Sequence, residues 1–381
     1  MKVSVLGYGT VGFGVCEMIK KAPGLELISV LVRPGKADEP FKVCSIDEIV
    51  NDERVEAVVE VMGGVEPAYS YVSAALAAGK HAVTSNKALV AAHGPELAKL
   101  AAEKGVGFLF SAACGGAVPF LHNLSLAVES DRILSLGGIL NGTTNFMLDS
   151  MQRGGMDYSD ALRQAQALGY AEADPTADVS GLDALRKIML ACAVAYDKLP
   201  CEGFCLEGIE SVTAADVAHF QSKGLVLRLV VRGGLKGEKL YAFVQPVLLG
   251  ASSPEASVLR NFNMAKYCGE NAGDIVLIGQ GAGRYPTASA VVRDLSDIVH
   301  GRREMMKPYC ERVAVDNSVV SCRYYVRLPA ERADALPFAE KECDGGLCRG
   351  VTESLAVTDM HARVKALRES GAAVFFAAME D

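Results

Sequence analysis

The chain has no CxxC pair among its eleven cysteines. The nearest spacings, Cys201 with Cys205 and Cys343 with Cys348, have no histidine close by, so no zinc or dithiol motif is written into the sequence. Reduced, partly buried thiols are the expectation. Long apolar runs are missing too. The opening MKVSVLGYGTVG is too short and too glycine-broken for a signal-peptide core or a membrane span, which predicts a soluble, cytoplasmic protein. Neither sign of charge dominates: 46 acidic and 38 basic residues are interspersed and leave a net charge of −8, which argues against a nucleic-acid or anionic-membrane partner. A small-molecule substrate is the better default. Histidines number six and none has metal or triad spacing; His81 and His122 sit in apolar segments, His93 precedes a Gly-Pro turn, and all three read as structural. There is no internal repeat, low-complexity tract or long flexible linker.

What is present begins with size. At 381 residues, half of them hydrophobic, the chain exceeds one core and implies two or three domains. In the opening third, strand-like runs (3–6, 27–32, 57–61, 81–84, 107–110) alternate with alanine-rich stretches of helical period, the pattern of a parallel α/β sheet. From Ile133 the pattern changes to one strand, several helical segments, and strands at 225–231 and 240–246, which reads as a second domain of α+β type. A glycine-rich element, 279–295, leads into a further helix. Beyond Gly301 the remainder reads as a small βαβ-rich appendage. The predicted fold is thus α/β: a doubly wound nucleotide-binding domain over 1–130, completed by a returning helix at about 284–301. An α+β domain over 131–283 and a small α+β module over 312–381 follow.

KVSVLGYGTVG places Gly7, Gly9 and Gly12 in GxGxxG spacing between a strand and a helix, with Thr10 and Val11 opening the helix. The first two glycines allow a tight turn and close approach of backbone to a pyrophosphate, the third allows helix packing, and the helix N-terminus attracts the charge. Position after the first strand of a βαβ pattern is what gives this common motif weight. Sites preferring NAD tend to carry an acid about 20 residues later for the ribose hydroxyls. Here the second strand ends in Val32-Arg33-Pro34-Gly35-Lys36, so Arg33 and Lys36 favour a ribose phosphate, and therefore NADP over NAD.

The most informative stretch runs from Asn141 to Lys187: NGTTNF, a helical segment, then GYAEADPTADVSGLDALRK. Glu172, Asp174 and Asp178 lie among Gly, Pro and small residues and read as loop. Asp183 and Lys187 share one face of the following helix. Alone, that pair would be an ordinary solvated ion pair; with NGTT upstream and a second lysine in TSNKALV, Lys87, it points to a site.

Taken in order, the fingerprint, VEVMGG, TSNKALVA, ILNGTTNFM, GYAEADPTADVSGLDALRK and GQGAGRYPTAS resemble homoserine dehydrogenase of the monofunctional type, from Lys2 to about Gly301. The resemblance implies reversible NAD(P)-dependent interconversion of L-homoserine and L-aspartate 4-semialdehyde, by hydride transfer with a lysine general acid. It implies Lys187 and Lys87 flanking the reacting oxygen, with Asp183 holding Lys187. Glu172 and Asp178 become substrate carboxylates, Glu172 toward the amino group, and Gly142, Thr143 and Tyr170 further substrate contacts. Gly63 of VMGG, Lys87 and Gly283 become late cofactor contacts. It also implies a homodimer or homotetramer, with L-threonine as an effector.

Two segments depart from the family. Where relatives open EASVAGGIP with a glutamate, this chain has Ser111, in SAACGGAVP. The matching positions for a monovalent cation, sodium or potassium, are Ser111, Cys114, Gly116 and Val118. Losing a charged ligand weakens that site, although carbonyl oxygens still suit a hard cation. The tail from Asn317 resembles an ACT module shortened to a packing or oligomer element: after RYYVRLP, the stretch PAERADALPFAEK lacks the glycine turn and helix. Two alternatives stay open: a silent NADP-binding sensor, and an aspartate-semialdehyde dehydrogenase-like enzyme that would need Cys114 as thiolate with a histidine base.

Overall fold

The computed structural model describes residues 1–36 and 41–380. The N-terminal unit is β1 (Lys2–Leu6), α1 (Thr10–Ile19), β2 (Glu26–Leu31), β3 (Lys42–Val43), α2 (Ile46–Val50), β4 (Ala57–Glu60), α3 (Ala68–Ala77), β5 (His81–Thr84), α4 (Lys87–Lys104) and β6 (Phe108–Leu109). All its pairings are parallel, in the order β3-β2-β1-β4-β5-β6. The chain therefore winds one way from β1 and the other way from β4, and the crevice at their carboxyl ends is a topological switch point, where open α/β sheets bind ligands. Covered on both faces, β1 and β4 are nearly continuous apolar runs. Val3, Val5, Leu6, Val58 and Val59 are fully buried, each contributing roughly 1.5–3 kcal/mol by leaving water. The five strands expected from sequence are present; β3 and α2 are additions that short, weakly patterned segments did not announce.

The second unit runs through α5 (Phe120–Ala127), β7 (Ile133–Ile139), α6 (Gly142–Gly154), α7 (Tyr158–Ala167), α8 (Thr176–Val179), α9 (Leu182–Tyr196), β8 (Lys198–Glu202), β9 (Cys205–Leu206), α10 (Ala214–Ser222), β10 (Leu225–Lys236), β11 (Lys239–Gly250), β12 (Phe262–Gly269) and β13 (Gly273–Gln280). Helix α11 (Arg284–Val299) then returns to the N-terminal unit. A Cβ on Gly14 of α1 would lie 2.8 Å from the Arg284 side chain, and the Tyr285 hydroxyl donates to Glu17 at 2.8 Å. The hairpin β12–β13 was not foreseen.

The tail comprises β14 (Glu311–Ala314), β15 (Ser321–Pro329), β16 (Phe338–Asp344), β17 (Leu347–Thr352), β18 (Leu355–Ala356), α12 (Val357–Glu369) and β19 (Phe375–Glu380). Its strands do not form a separate appendage. Except for β14, which pairs in parallel with β8 in a separate two-stranded sheet, they extend the sheet of the second unit into one of eleven strands, β13-β12-β7-β10-β11-β19-β15-β17-β16, with β18 and β9 at its margins, because β19 pairs in parallel with β11. Within the tail, β17 separates β15 from β16 and β19 flanks β15, all antiparallel, the strand order of a split β-α-β unit. A 3₁₀ segment, Ala330–Ala335, stands where such a unit has its first helix. One expectation about the cysteines is corrected: Cys343 and Cys348 face each other directly across the β16–β17 hairpin and are disulfide-bonded. No helix among the described residues is long and apolar enough to cross a membrane.

Candidate active site

Helix α9 carries the centre. Gly181 precedes it at φ +83°, where a Cβ would press on Leu206 and Val244 at 3.0 and 3.2 Å. Apolar residues such as Leu185, Ile188 and Leu190 bury the helix nearly all round and carry Asp183 and Lys187 inward with it. Asp183 Oδ2 accepts from Lys187 Nζ at 2.7 Å, and its Oδ1 meets Lys87 Nζ at 3.0 Å. Lys87 opens α4, whose N-cap is Asn86. The two ammonium groups differ in access: the Lys187 side chain is 9% exposed and that of Lys87 35%.

Asn141, at the end of β7, joins the parts. Its Oδ1 caps α6 by accepting from the Thr144 amide at 2.9 Å, while its Nδ2 donates to Asp178 Oδ1 at 2.7 Å and Asp183 Oδ2 at 2.9 Å. Lys187 Nζ also donates to the Leu140 carbonyl at 2.5 Å. Burial raises the cost of charging Asp183, but Lys187 and Lys87 outweigh it and hold the carboxyl below the ordinary range. Burial likewise opposes charge on Lys187, and Asp183 more than reverses this, so its pKa is raised. Asp178 moves the other way: burial, only partly offset by the Asn141 bond, raises it.

The other residues of this stretch are engaged to different degrees. Thr143 Oγ1 donates to the Tyr170 carbonyl at 2.7 Å, and the Tyr170 ring packs edge-on against Phe146. Gly142 has no room for a side chain, since a Cβ would stand 2.6 Å from the Asn261 carbonyl. Glu172 is exposed, and its backbone carbonyl accepts from Gln166. Asp174 accepts from the Thr176 amide and hydroxyl, a local turn at the entry to α8.

At the nucleotide end, a Cβ on Gly12 would lie 2.1 Å from the Gly7 carbonyl oxygen, so only glycine lets α1 sit this close to the turn. Gly9 caps α1 without any side-chain bond, and the first turn has no acidic residue, leaving amides free beside Thr10 and Val11. These features fit a pyrophosphate. Gly63 at φ +79° and Gly283 at φ +123° lie in turns ahead of helices α3 and α11. Arg33 and Lys36 are exposed in the turn after β2.

The loop after β6 folds against the glycine-rich element: the Ala117 amide donates to the Gln280 carbonyl at 3.0 Å, and a Cβ on Gly116 would meet Gly281 at 2.7 Å. The Ser111 amide and hydroxyl both donate to Asp294 of α11, the amide at 2.8 Å. Among the described residues no cluster of three His, Cys, Asp or Glu could hold a metal. Cys114 is fully buried, its thiol donates to the Lys187 carbonyl, and burial pushes its pKa up to about 12. It is a packing thiol, which removes the alternative built on a Cys114 thiolate.

The homoserine dehydrogenase of Synechocystis sp. is 40% identical over 317 residues, spanning 78% of this chain and 73% of the relative. The chain belongs to the homoserine dehydrogenase family. Family models agree, one for homoserine dehydrogenase matching residues 119–296 and one for homoserine dehydrogenase, NAD binding domain, matching 7–111. The homoserine dehydrogenase of Corynebacterium glutamicum is 38% identical over 355 residues, covering 86% of this chain and 80% of that one. The crystal structure of a homoserine dehydrogenase from Thiobacillus denitrificans superposes with a TM-score of 0.89 at 30% identity, over 100% of this chain and 98% of that chain. A hyperthermophilic archaeal homoserine dehydrogenase mutant in complex with NADPH matches with a TM-score of 0.68 at 28% identity, over 79% of this chain and 98% of that one.

Sequence reasoning missed Asn141, whose amide joins Asp178 and Asp183, and Glu60 at the end of β4, which accepts from the Thr84 hydroxyl. The signal for Asn141 was available, since an asparagine before GTT at a strand end is an N-cap signature. For Glu60 the signal was a lone acid closing an apolar run.

Proposed function

We propose that the chain catalyses the reversible NAD(P)-dependent interconversion of L-homoserine and L-aspartate 4-semialdehyde, in the supply of threonine and methionine. The observation that carries this reading is the buried Lys187–Asp183 pair, with Lys87 on the same carboxylate. In the reductive direction the nicotinamide supplies a hydride to the aldehyde carbon. Lys187, kept protonated by Asp183, gives a proton to the alkoxide oxygen, so aldehyde, hydride and proton sum to the alcohol. Lys87 lends positive charge to the same oxygen. Asp178 and Glu172 receive the substrate ammonium, and Gly142, Thr143 and Tyr170 frame its other end.

Arg33 and Lys36, standing where an acid would bind ribose hydroxyls, support NADP over NAD. The Ser111 hydroxyl and the Cys114 thiol are engaged elsewhere, so a monovalent cation here would draw on backbone carbonyl oxygens, of which that of Val118 already accepts from the Phe120 amide at 2.8 Å; the proposed chemistry does not depend on one. We assign 1–130 with 284–301 to cofactor binding, 131–283 to catalysis, and 312–381 to a reduced ACT-like module open to L-threonine. Exposed Val276 and Ile278 on β13 and Phe262 on β12 support assembly with a second copy as a homodimer or homotetramer. Kinship with biosynthetic enzymes supports a cytoplasmic setting.

The test is the initial rate of cofactor reduction with L-homoserine at mildly alkaline pH, NAD and NADP in parallel, with and without L-threonine. Turnover with a higher kcat/KM for NADP is expected. Binding of NADP without turnover on homoserine would instead favour the silent sensor.

A further inference from the structure

Glu60 is the last residue of β4, opposite Leu6 of β1, at the carboxyl ends that frame the crevice. It is fully buried. Its Oε1 accepts from the amides of Met62 and Gly63 at 2.7 and 3.2 Å, and its Oε2 from the Thr84 hydroxyl at 2.5 Å. The Thr84 oxygen itself accepts from the Asn86 amide at 2.9 Å. Asn86 Nδ2 donates to the Gly64 carbonyl, closing a ring of hydrogen bonds between the loop after β4 and the first turn of the helix that begins at Lys87. That loop abuts the glycine-rich turn: a Cβ on Gly7 would meet Met62 at 2.9 Å and the Val61 carbonyl at 3.2 Å. Burial raises the carboxyl's pKa, and the donors, all pointing toward it, offset this only in part by favouring the ionised form. Yet among the described residues Glu60 has no cationic partner.

A buried negative charge without a counter-charge is costly unless something positive completes it. The oxidised nicotinamide ring carries a positive charge and the reduced ring is neutral. We propose that Glu60 is a positioning residue whose carboxylate favours the oxidised over the reduced cofactor. Its charge, and not any single one of its hydrogen-bond donors, biases the bound equilibrium toward hydride donation to the aldehyde. This rests on the reading of the crevice as a nicotinamide site.

The experiment is equilibrium binding of NADP and of NADPH, by calorimetry or cofactor fluorescence, to the wild-type protein, E60Q and T84V. In E60Q the ratio of NADPH to NADP dissociation constants is expected to fall roughly tenfold, chiefly through weaker NADP binding. T84V deletes one donor and keeps the charge, so its ratio stays within about twofold of wild type. An unchanged ratio in E60Q, or a change in T84V as large as in E60Q, would overturn the proposal. Failure of the wild-type protein to bind either nucleotide would instead overturn the cofactor reading beneath it.

Discussion

Asp183 serves two lysines, and the chemistry follows from how unequally it serves them. Lys187 is sealed beneath it and stays protonated through neutrality, a competent acid for aldehyde reduction. In the opposite direction it must first lose that proton. Reduction is therefore expected to be flat over about pH 6 to 8, while homoserine oxidation climbs toward the ordinary lysine value of ~10.4 and beyond, as initial rates across pH would record. The carboxylate can be tested through stability. Its folded pKa is depressed, so its contribution is fully present above the unfolded value of ~3.9 and is lost as pH falls. Asp183→Asn strands a buried ammonium and should cost about 3–5 kcal/mol at pH 7 by denaturant unfolding, with a smaller deficit in acid. The lysines and Asp183 were legible in the sequence through i, i+4 spacing and motif order. Asn141 could be read as the cap of α6, but not as the link at the centre, because Asp178 of α8 and Asp183 of α9 meet its amide only after folding.

The glycines of α1 separate packing from binding. Gly12 touches the Gly7 carbonyl, whereas a Cβ on Gly9 would meet nothing within 4 Å in the free protein. Gly12→Ala should thus lower both melting temperature and NADP(H) affinity. Gly9→Ala should melt like wild type yet lose cofactor affinity about tenfold or more, because only the incoming pyrophosphate needs that space. Thermal melts paired with fluorescence titration distinguish the two. At this scale the sequence served well where period or glycine spacing was strong: the five main strands and α1, α9 and α11 stand where patterning put them. It served poorly for β3 and the β12–β13 hairpin. In β13 both faces are apolar enough (Ile275, Leu277 inward; Val276, Ile278 outward) that alternation is blurred.

Across the whole molecule, the tail is bound into the sheet of the second unit rather than tethered to it. Pairing of β19 with β11 is reinforced by Arg232 with Glu380 and by Arg368, whose guanidinium makes two bonds to Glu207 at 2.9 and 2.7 Å. Composition and strand pattern could not reveal this, since a parallel pairing between residues 247–249 and 378–380 leaves no local trace. Deleting the chain after Asp316 should expose the edge of β11 and the apolar face that packs on Tyr324, Val326 and Phe376. The product is expected to aggregate or to melt at least several degrees lower, as light scattering and calorimetry would register. A truncated chain that stays monodisperse with an unchanged melt would show the tail to be a dispensable module.

The most direct test of the proposed chemistry is single-turnover hydride transfer from NADPH to L-aspartate 4-semialdehyde by Lys187→Ala, followed by stopped-flow absorbance beside NADPH affinity. Loss of two or more orders of magnitude in the transfer rate, with affinity within about threefold of wild type, is the predicted result. A transfer rate equal to that of the wild-type protein would contradict the assignment of Lys187 as the proton donor.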